Sequence, residues 1–352
     1  MKRRWLLWIL IAAFVVVIAT RFSEVRELFK TLSGGQWQWI LVAALLQMVY
    51  YTLHAALYRS AFDIVGIERR LTELLPVLLA SLFVNVAAPS GGASGFALFV
   101  DDANRRGQSG TRTAAGKMLA HVADFSALLI VVTVGMTYLF LRQDLQVYQI
   151  IGAIVLILLI AVQAGAVLLG FWQAERLRRW LNWLQRTING VANRLRRPAA
   201  LADGWAEEIA TELIDAAVAI AAHPWKLLRT LGIGLAAFVV DILSLYTLFL
   251  AFRYPVGTGT LVAGFAIGFL FWIVAITPQG IGVVEGVMAL VFNSLEVPAA
   301  TATVIALAFR GLTFWIPFGL GFVLLRTVKS FHEEKRTETG NETGEPPLCP
   351  PL

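Results

Sequence analysis

The sequence contains one cysteine, Cys349, which excludes an intrachain disulfide and any thiolate metal site. Charge is scarce as well: Asp, Glu, Lys and Arg make up 15% of the residues, against about 25% in soluble domains. That shortage excludes a water-soluble enzyme. Only four histidines occur, His54, His121, His223 and His332, and no two have helix-face ligand spacing, so neither a metal nor another cofactor is expected. A GxxxxGK[ST] phosphate loop is missing, which excludes direct use of ATP. Apolar residues, in contrast, reach 58%, with a mean hydropathy of +0.72. At about 20 residues per helical span, the chain reads as a single all-α polytopic membrane protein.

Lys2, Arg3 and Arg4 precede an apolar run over 5–20. It reads as a first anchor rather than a signal peptide, because no small-residue cleavage pattern follows. Residues 21–35 place Val25, Leu28, Phe29 and Leu32 at helical spacing among charges, the pattern of a helix lying on the membrane surface. Further crossings are expected over 37–57, 114–141, 147–172, 231–251 and 297–325, six in all. The polar insertion 173–230 carries nine Lys and Arg. The apolar side chains Leu177, Trp180, Leu181 and Leu184 share a face of its first helix, which suits either an anionic membrane surface or a solvated connector. Residues 331–352 have the composition of a disordered tail.

Two apolar runs are too broken to cross. The first, 74–88, ends in Pro89-Ser90-Gly91-Gly92 and resumes at 96–100, followed by an expected polar loop over 101–112. The second, 261–276, ends in Thr277-Pro278-Gln279-Gly280-Ile281-Gly282 and resumes over 283–295. Both read as re-entrant or broken hairpins. In this topology both termini are cytoplasmic, and 22 of the 29 Lys and Arg fall on that side with five outside, as the positive-inside rule requires. The hairpins recur at matching places in two halves, about 1–142 and 147–328. One opens inward and the other outward, the signature of an inverted repeat whose broken helices flank a midplane site. Backbone freed from a helix is tolerated only against protein or a wet cavity. Half-helix starts after Gly91-Gly92 and Gly280-Gly282 would turn positive dipole ends toward an anionic group such as a phosphate.

An unpaired charge at the bilayer centre costs about 2.5 to 3.5 kcal/mol, so each needs a partner or water. Lys117, His121 and Asp124 stand at i, i+4 and i+7 of the third crossing. The spacing permits a self-neutralising ladder, with Lys117 near enough to the cytoplasmic end to snorkel. Asp241 falls mid-span in the fifth crossing, Glu285 in the second hairpin and Arg310 in the last crossing. Arg310 is expected to pair with Asp241 or Glu285. These groups either bind a headgroup or a proton, or lock helices together, and the two roles weigh equally. Gln47, His54 and Gln163 read as interhelical hydrogen-bonding residues.

The stretch Phe83-Val84-Asn85 through Pro89-Ser90-Gly91-Gly92, with Thr277-Pro278-Gln279-Gly280-Ile281-Gly282-Val283-Val284-Glu285, resembles the lysylphosphatidylglycerol synthase transmembrane-region family of flippase-like membrane proteins. The resemblance runs over about 7–328. It implies kinship with the flippase part of the enzyme that makes and exposes lysylphosphatidylglycerol, and with proteins linked to hopanoid or lipid-linked sugar traffic. Glu285, Arg310 and Asp124 match the family's second-motif Glu, final-helix Arg and third-helix Asp. Phe96 and Phe99 stand where many relatives carry an acidic residue and an Arg, and His121 stands where Arg is common, so the headgroup chemistry is expected to differ. The soluble aminoacyl-transferase domain is absent from this sequence, and lysyl transfer is not expected.

The leading expectation is a translocator in the cell membrane that carries a lipid headgroup through a cavity between the hairpins. Its candidate residues are Asn85, Pro89, Gly91, Gly92, His121, Asp124, Asp241, Thr277, Pro278, Gly280, Gly282, Glu285 and Arg310. The expected partner is a phospholipid or other amphiphilic lipid, with a lipid-synthesising enzyme as a further one and no nucleic acid. The alternative is a membrane-embedded transferase acting on a lipid-linked sugar or phosphate, for which the adjacent pair Asp101-Asp102 is the candidate carboxylate set. A third class, a scaffold for a lipid synthase, fits the basic insertion but not the costly broken helices.

Overall fold

The computed structural model describes residues 34–88, 92–142, 146–172, 174–194, 204–275, 280–325 and 328. The expected anchor over 5–20, nearly all of the surface helix over 21–35 and the tail over 331–352 lie outside the described residues. Among the described residues every element is helical and no strand occurs. In chain order they are α1 (Trp37–Ile64), α2 (Leu71–Ala87), α3 (Ala93–Arg105), α4 (Gly110–Leu141), α5 (Val147–Trp172), α6 (Ala174–Arg194), α7 (Trp205–Ala222), α8 (Pro224–Ala251), α9 (Thr258–Val274), α10 (Val283–Ser294), α11 (Ala299–Arg310) and α12 (Ile316–Leu324), with a π-helical turn, Gly311–Trp315, joining the last two.

Four of these, α1, α4, α8 and the joined α11–α12, are long and apolar enough to cross a membrane. Their burial pattern is that of proteins in lipid. Trp37, Leu41, Leu45 and Val49, spaced every four residues on α1, are exposed, whereas Gln47 is fully buried on the opposite side. Apolar side chains face the solvent because that solvent is hydrocarbon, and polar ones turn inward to find partners. The 26-residue α5 exposes Ile150, Ile151, Ile154, Ile157 and Leu158 in the same manner. The protein is therefore a multi-pass all-α membrane protein.

Backbone and side-chain hydrogen bonds fix which helix ends lie together. Arg69, just after α1, donates to Gln108 and Asp102 at the far end of the α2–α3 hairpin, and Gln108 donates to the Glu68 carbonyl. The first hairpin thus opens beside the C-terminus of α1. At the other end of the bundle the Gln36 N–H donates to the Ala251 carbonyl, so α1 begins where α8 ends. There the Tyr254 hydroxyl, after α8, donates to the Glu296 carbonyl, between α10 and α11. The second hairpin, α9–α10, therefore opens at the opposite end from the first, with the length of α1, about 42 Å, between the two openings.

Packing follows an exchange of halves. The antiparallel pair α1 and α8 forms the largest helix interface. While α4 packs on α9, the α11–α12 helix packs on α2. Both crossings are close. A methyl group on Gly135 of α4 would lie 2.8 Å from Ala266 of α9, and one on Gly321 of α12 would run into the Leu79 carbonyl of α2. The core has two main lobes. One joins α4, α8, α9, α10 and α11, and the other joins α1, α2, α3 and the start of α4 to Phe314 and Phe318 of the last helix.

Three expectations need correction. Residues 101–105 are not a loop: α3 runs on to Arg105, because Arg105 reaches Asp101 at 3.0 Å and Arg106 reaches Asp102 at 2.8 Å, one turn back. Asp102 is moreover fully buried against Arg69 at 3.0 Å, which removes the exposed acidic pair that a transferase reading requires. On α6, Leu181 packs on Ala206 and Ala210 of α7 while Trp180 stays exposed. The rest of the insertion is not a free connector, because α7 packs against α4 and α5.

Candidate functional site

Both hairpins restart their second arm from a glycine. Gly92 caps α3 at φ +92° and Gly282 caps α10 at φ +82°, a left-handed conformation that side-chain-bearing residues resist. Gly92 and Gly282 are exposed at these helix starts, and the third residue of each arm, Gly95 or Glu285, is the more buried one. Pro89, Gly91, Thr277 and Pro278 lie outside the described residues. Gly280, also at positive φ, is buried against Trp272 and Val284. Ile281, at the second tip, packs against the core lobe that contains Phe83, Val86 and Leu98 of the first hairpin. The described ends of both hairpins thus border the same lobe of the core, although the hairpins enter from opposite ends.

The third residue of each second arm is where polar groups gather. In the first hairpin the Gly95 N–H donates to Asn85 Oδ1 at 2.8 Å, and the Ser94 hydroxyl donates to the same oxygen at 3.1 Å. Lys117 of α4 then donates to the Gly95 carbonyl at 3.2 Å, with its ammonium 3.9 Å from the centre of the Phe99 ring. In the second hairpin the same position is Glu285. Its carboxylate accepts from the Gly282 N–H at 2.7 Å and from Arg310 Nε at 3.2 Å. In each half, the helix after the hairpin returns a cation to the start of the second arm, beside the positive end of its dipole. At the second tip the Glu285 carboxylate answers this pairing of like signs, whereas at the first tip the pairing favours an anion.

Arg310 therefore pairs with Glu285, not Asp241. Its position is set by the π-helical turn that follows it, where one extra residue frees backbone carbonyls. Tyr51 of α1 donates its hydroxyl to one of them, Thr313 O, at 2.9 Å. Asp241 is fully buried on α8 and accepts instead from Gln47 of α1 at 2.6 Å, and Gln47 also donates to Ser244 at 3.0 Å. This group locks the central α1–α8 interface.

The ladder expected along α4 does not form. Lys117 is 4% exposed and points at the hairpin, so it does not snorkel. Asp124 turns to His54 of α1, at 3.6 Å. Between them, His121 lies edge-on to Tyr58 and stacked on Phe125. Two members of this arrangement, Lys117 and His54, hold positions that sequence reasoning undervalued. A signal for the second was present, since Gln47, Tyr50, Tyr51, His54 and Tyr58 form a stripe of polar and aromatic residues down one face of an otherwise apolar span.

A cavity of about 390 Å³ lies away from the tips, at the end where the first hairpin opens, lined by Gly66, Ile67, Glu68, Gln108, Ser109 and Arg112. Nearby, burial pulls the Arg69 guanidinium down from its ordinary pKa while Asp102 opposes the shift. No group of three or more His, Cys, Asp or Glu side chains arranged to hold a metal occurs among the described residues.

Residues 5–321 match the family described as the lysylphosphatidylglycerol synthase TM region, a span that includes both hairpins and all the charged contacts above. The chain belongs to that family. A curated relative is the UPF0104 membrane protein MJ1595 of Methanocaldococcus jannaschii, 28% identical over 112 residues. That match covers 32% of this chain and 33% of the relative. Within the synthase transmembrane-region family, the site of this member joins a cation and a half-helix start at each of two hairpin tips.

Proposed function

We propose that the protein is a lipid translocator of the cell membrane, with both termini in the cytoplasm. It passes a polar or anionic headgroup between the two hairpin tips while the acyl chains remain in the bilayer. The observation that carries this reading is the paired tip geometry: Gly92 with Lys117, and Gly282 with Glu285 and Arg310, on hairpins that enter from opposite ends. Interrupted helices inside a membrane are expensive unless they serve a polar passenger. Lys117 and Arg310 attract the headgroup phosphate, and the apolar lobe that contains Phe83 separates the two sides. Family membership supports a lipid-related role. Asn85 and Glu285 hold the tips in shape, and Asp241 supports them through the α1–α8 interface.

The test is purified protein in liposomes carrying a fluorescent phospholipid, with dithionite quenching of the label that reaches the outer leaflet. The wild-type protein should accelerate movement, Arg310→Ala should slow it by tenfold or more, and Arg310→Lys should restore part of it. Folded, monodisperse Arg310→Ala protein that moves lipid at the wild-type rate would overturn the reading. A new lipid species detected by mass spectrometry would favour the transferase class instead.

A further inference from the structure

The most unusual group that the tip geometry leaves over is the His54–Asp124 pair. Asp124 lies close to the midpoint of α4, and His54 reaches it from α1 at 3.6 Å. The outer atoms of both, Asp124 Oδ1 and His54 Nδ1, are buried without a hydrogen-bond partner among the described residues. A pair that served only to fasten two helices would be expected to satisfy these atoms, because orphaned buried polar groups weaken the join they are meant to make. The two side chains are nevertheless 14% and 15% exposed, so the pair is not sealed.

Titratable side chains flank it along α1 and α4. Along α1 the His54 ring lies 5.3 Å from Tyr50 and 5.9 Å from Tyr58. On α4, His121 stands 6.2 Å from Tyr58, and Lys117 lies one turn further toward the opening of the first hairpin. In the other direction Tyr50 leads to Asp241 of α8, whose Oδ2 is likewise buried without a partner among the described residues, and Arg310 lies beyond Tyr51. The helices α2 and α9 present no ionisable side chain to the pair. Hydroxyl, imidazole and carboxyl groups thus follow one another through the membrane interior, the composition of a proton relay.

We propose that His54 and Asp124 form a proton-binding site that couples lipid movement to the transmembrane proton gradient. The inference rests on the translocator reading above and adds its energy source. With one shared proton the pair is neutral and can stay packed between α1 and α4. Without it the carboxylate carries a net charge, which demands water or the approach of a cation such as Lys117. Because α1 also carries Tyr51, the clasp on the π-helical turn beside Arg310, a shift of α1 on losing the proton reaches the second hairpin through Tyr51.

Two measurements test the proposal separately from lipid movement itself. Infrared titration of the purified protein across about pH 4 to 9 should reveal a protonated-carboxyl band that fades as pH rises. In an Asp241→Asn background, which removes the buried carboxyl of α8, the band should be missing in Asp124→Asn and have a displaced midpoint in His54→Gln. Absence of the band in that background, or its survival there in Asp124→Asn, overturns the proton site whether or not lipid moves. The second measurement uses liposomes of phosphatidylethanolamine and phosphatidylglycerol with a fluorescent phosphatidylglycerol. There a pH difference of about one unit should change the wild-type initial rate at least threefold, and a protonophore should abolish the change. His54→Gln and Asp124→Asn should show no response to the gradient, while Asp124→Glu should recover one. Wild-type movement that ignores both the gradient and the protonophore overturns the coupling and leaves the translocator reading standing. A pair that only locks helices would lower the unfolding temperature of its variants yet preserve their response to the gradient.

Discussion

Arg69 and Asp102 show how a single pair fastens the first hairpin. Both side chains are fully buried, and the same Asp102 oxygen also accepts from Arg106. Removing one partner strands the other as an uncompensated charge, at a cost of about 3–5 kcal/mol. Asp102→Ala should therefore lower the unfolding temperature in detergent markedly. The double variant Arg69→Met with Asp102→Leu should regain most of the loss, because an apolar pair of similar volume restores packing without a stranded charge. Glu285 fills a different role. Its two oxygens serve a backbone N–H and a guanidinium at once, so Glu285→Gln keeps the volume but weakens the hold on Arg310. It should reduce fluorescent-lipid movement several-fold in the dithionite assay while leaving expression near wild type.

Among the elements, the close helix crossings allow a controlled comparison. Gly321 faces the Leu79 carbonyl, whereas a methyl group on Gly319 of the same helix meets nothing within 4 Å. Gly321→Ala should destabilise by about 1–3 kcal/mol through overpacking against rigid backbone, and Gly319→Ala should be neutral or slightly stabilising. Thermal unfolding of the two variants in the same detergent decides it. The long elements were legible from composition, since α1, α4, α8 and α11–α12 are apolar runs of spanning length. The hairpin breaks were legible too, from Gly and Pro clusters at matching places. The extension of α3 through Asp101 and Asp102 was hidden because a charged stretch looks like a loop until its ion pairs close one turn apart and a buried Arg arrives from a distant segment. The destinations of Lys117 and His54 were hidden for a related reason. Helix spacing says which side chains share a face, but not which neighbouring helix that face meets.

For the whole molecule, the opposed openings of the two hairpins make a topological prediction. With Cys349 replaced by Ser, single cysteines at Gly107, between α3 and α4, and at Glu296, between α10 and α11, should react with a membrane-impermeant maleimide from opposite sides of the membrane. Gly107 should label from the cytoplasm and Glu296 from outside. Labelling of both from one face would break the inverted arrangement.

The cations at the tips, finally, differ in company. Arg310 sits against a carboxylate, so its tip is close to electroneutral, whereas Lys117 leans on a carbonyl and an aromatic ring, with no carboxylate in ion-pair range among the described residues. A negatively charged visitor therefore experiences a deeper well at one tip than at the other, even though the two tips are built alike. A charged lipid group would on that account rest at the first hairpin in preference to the second, a difference set by electrostatics and not by shape.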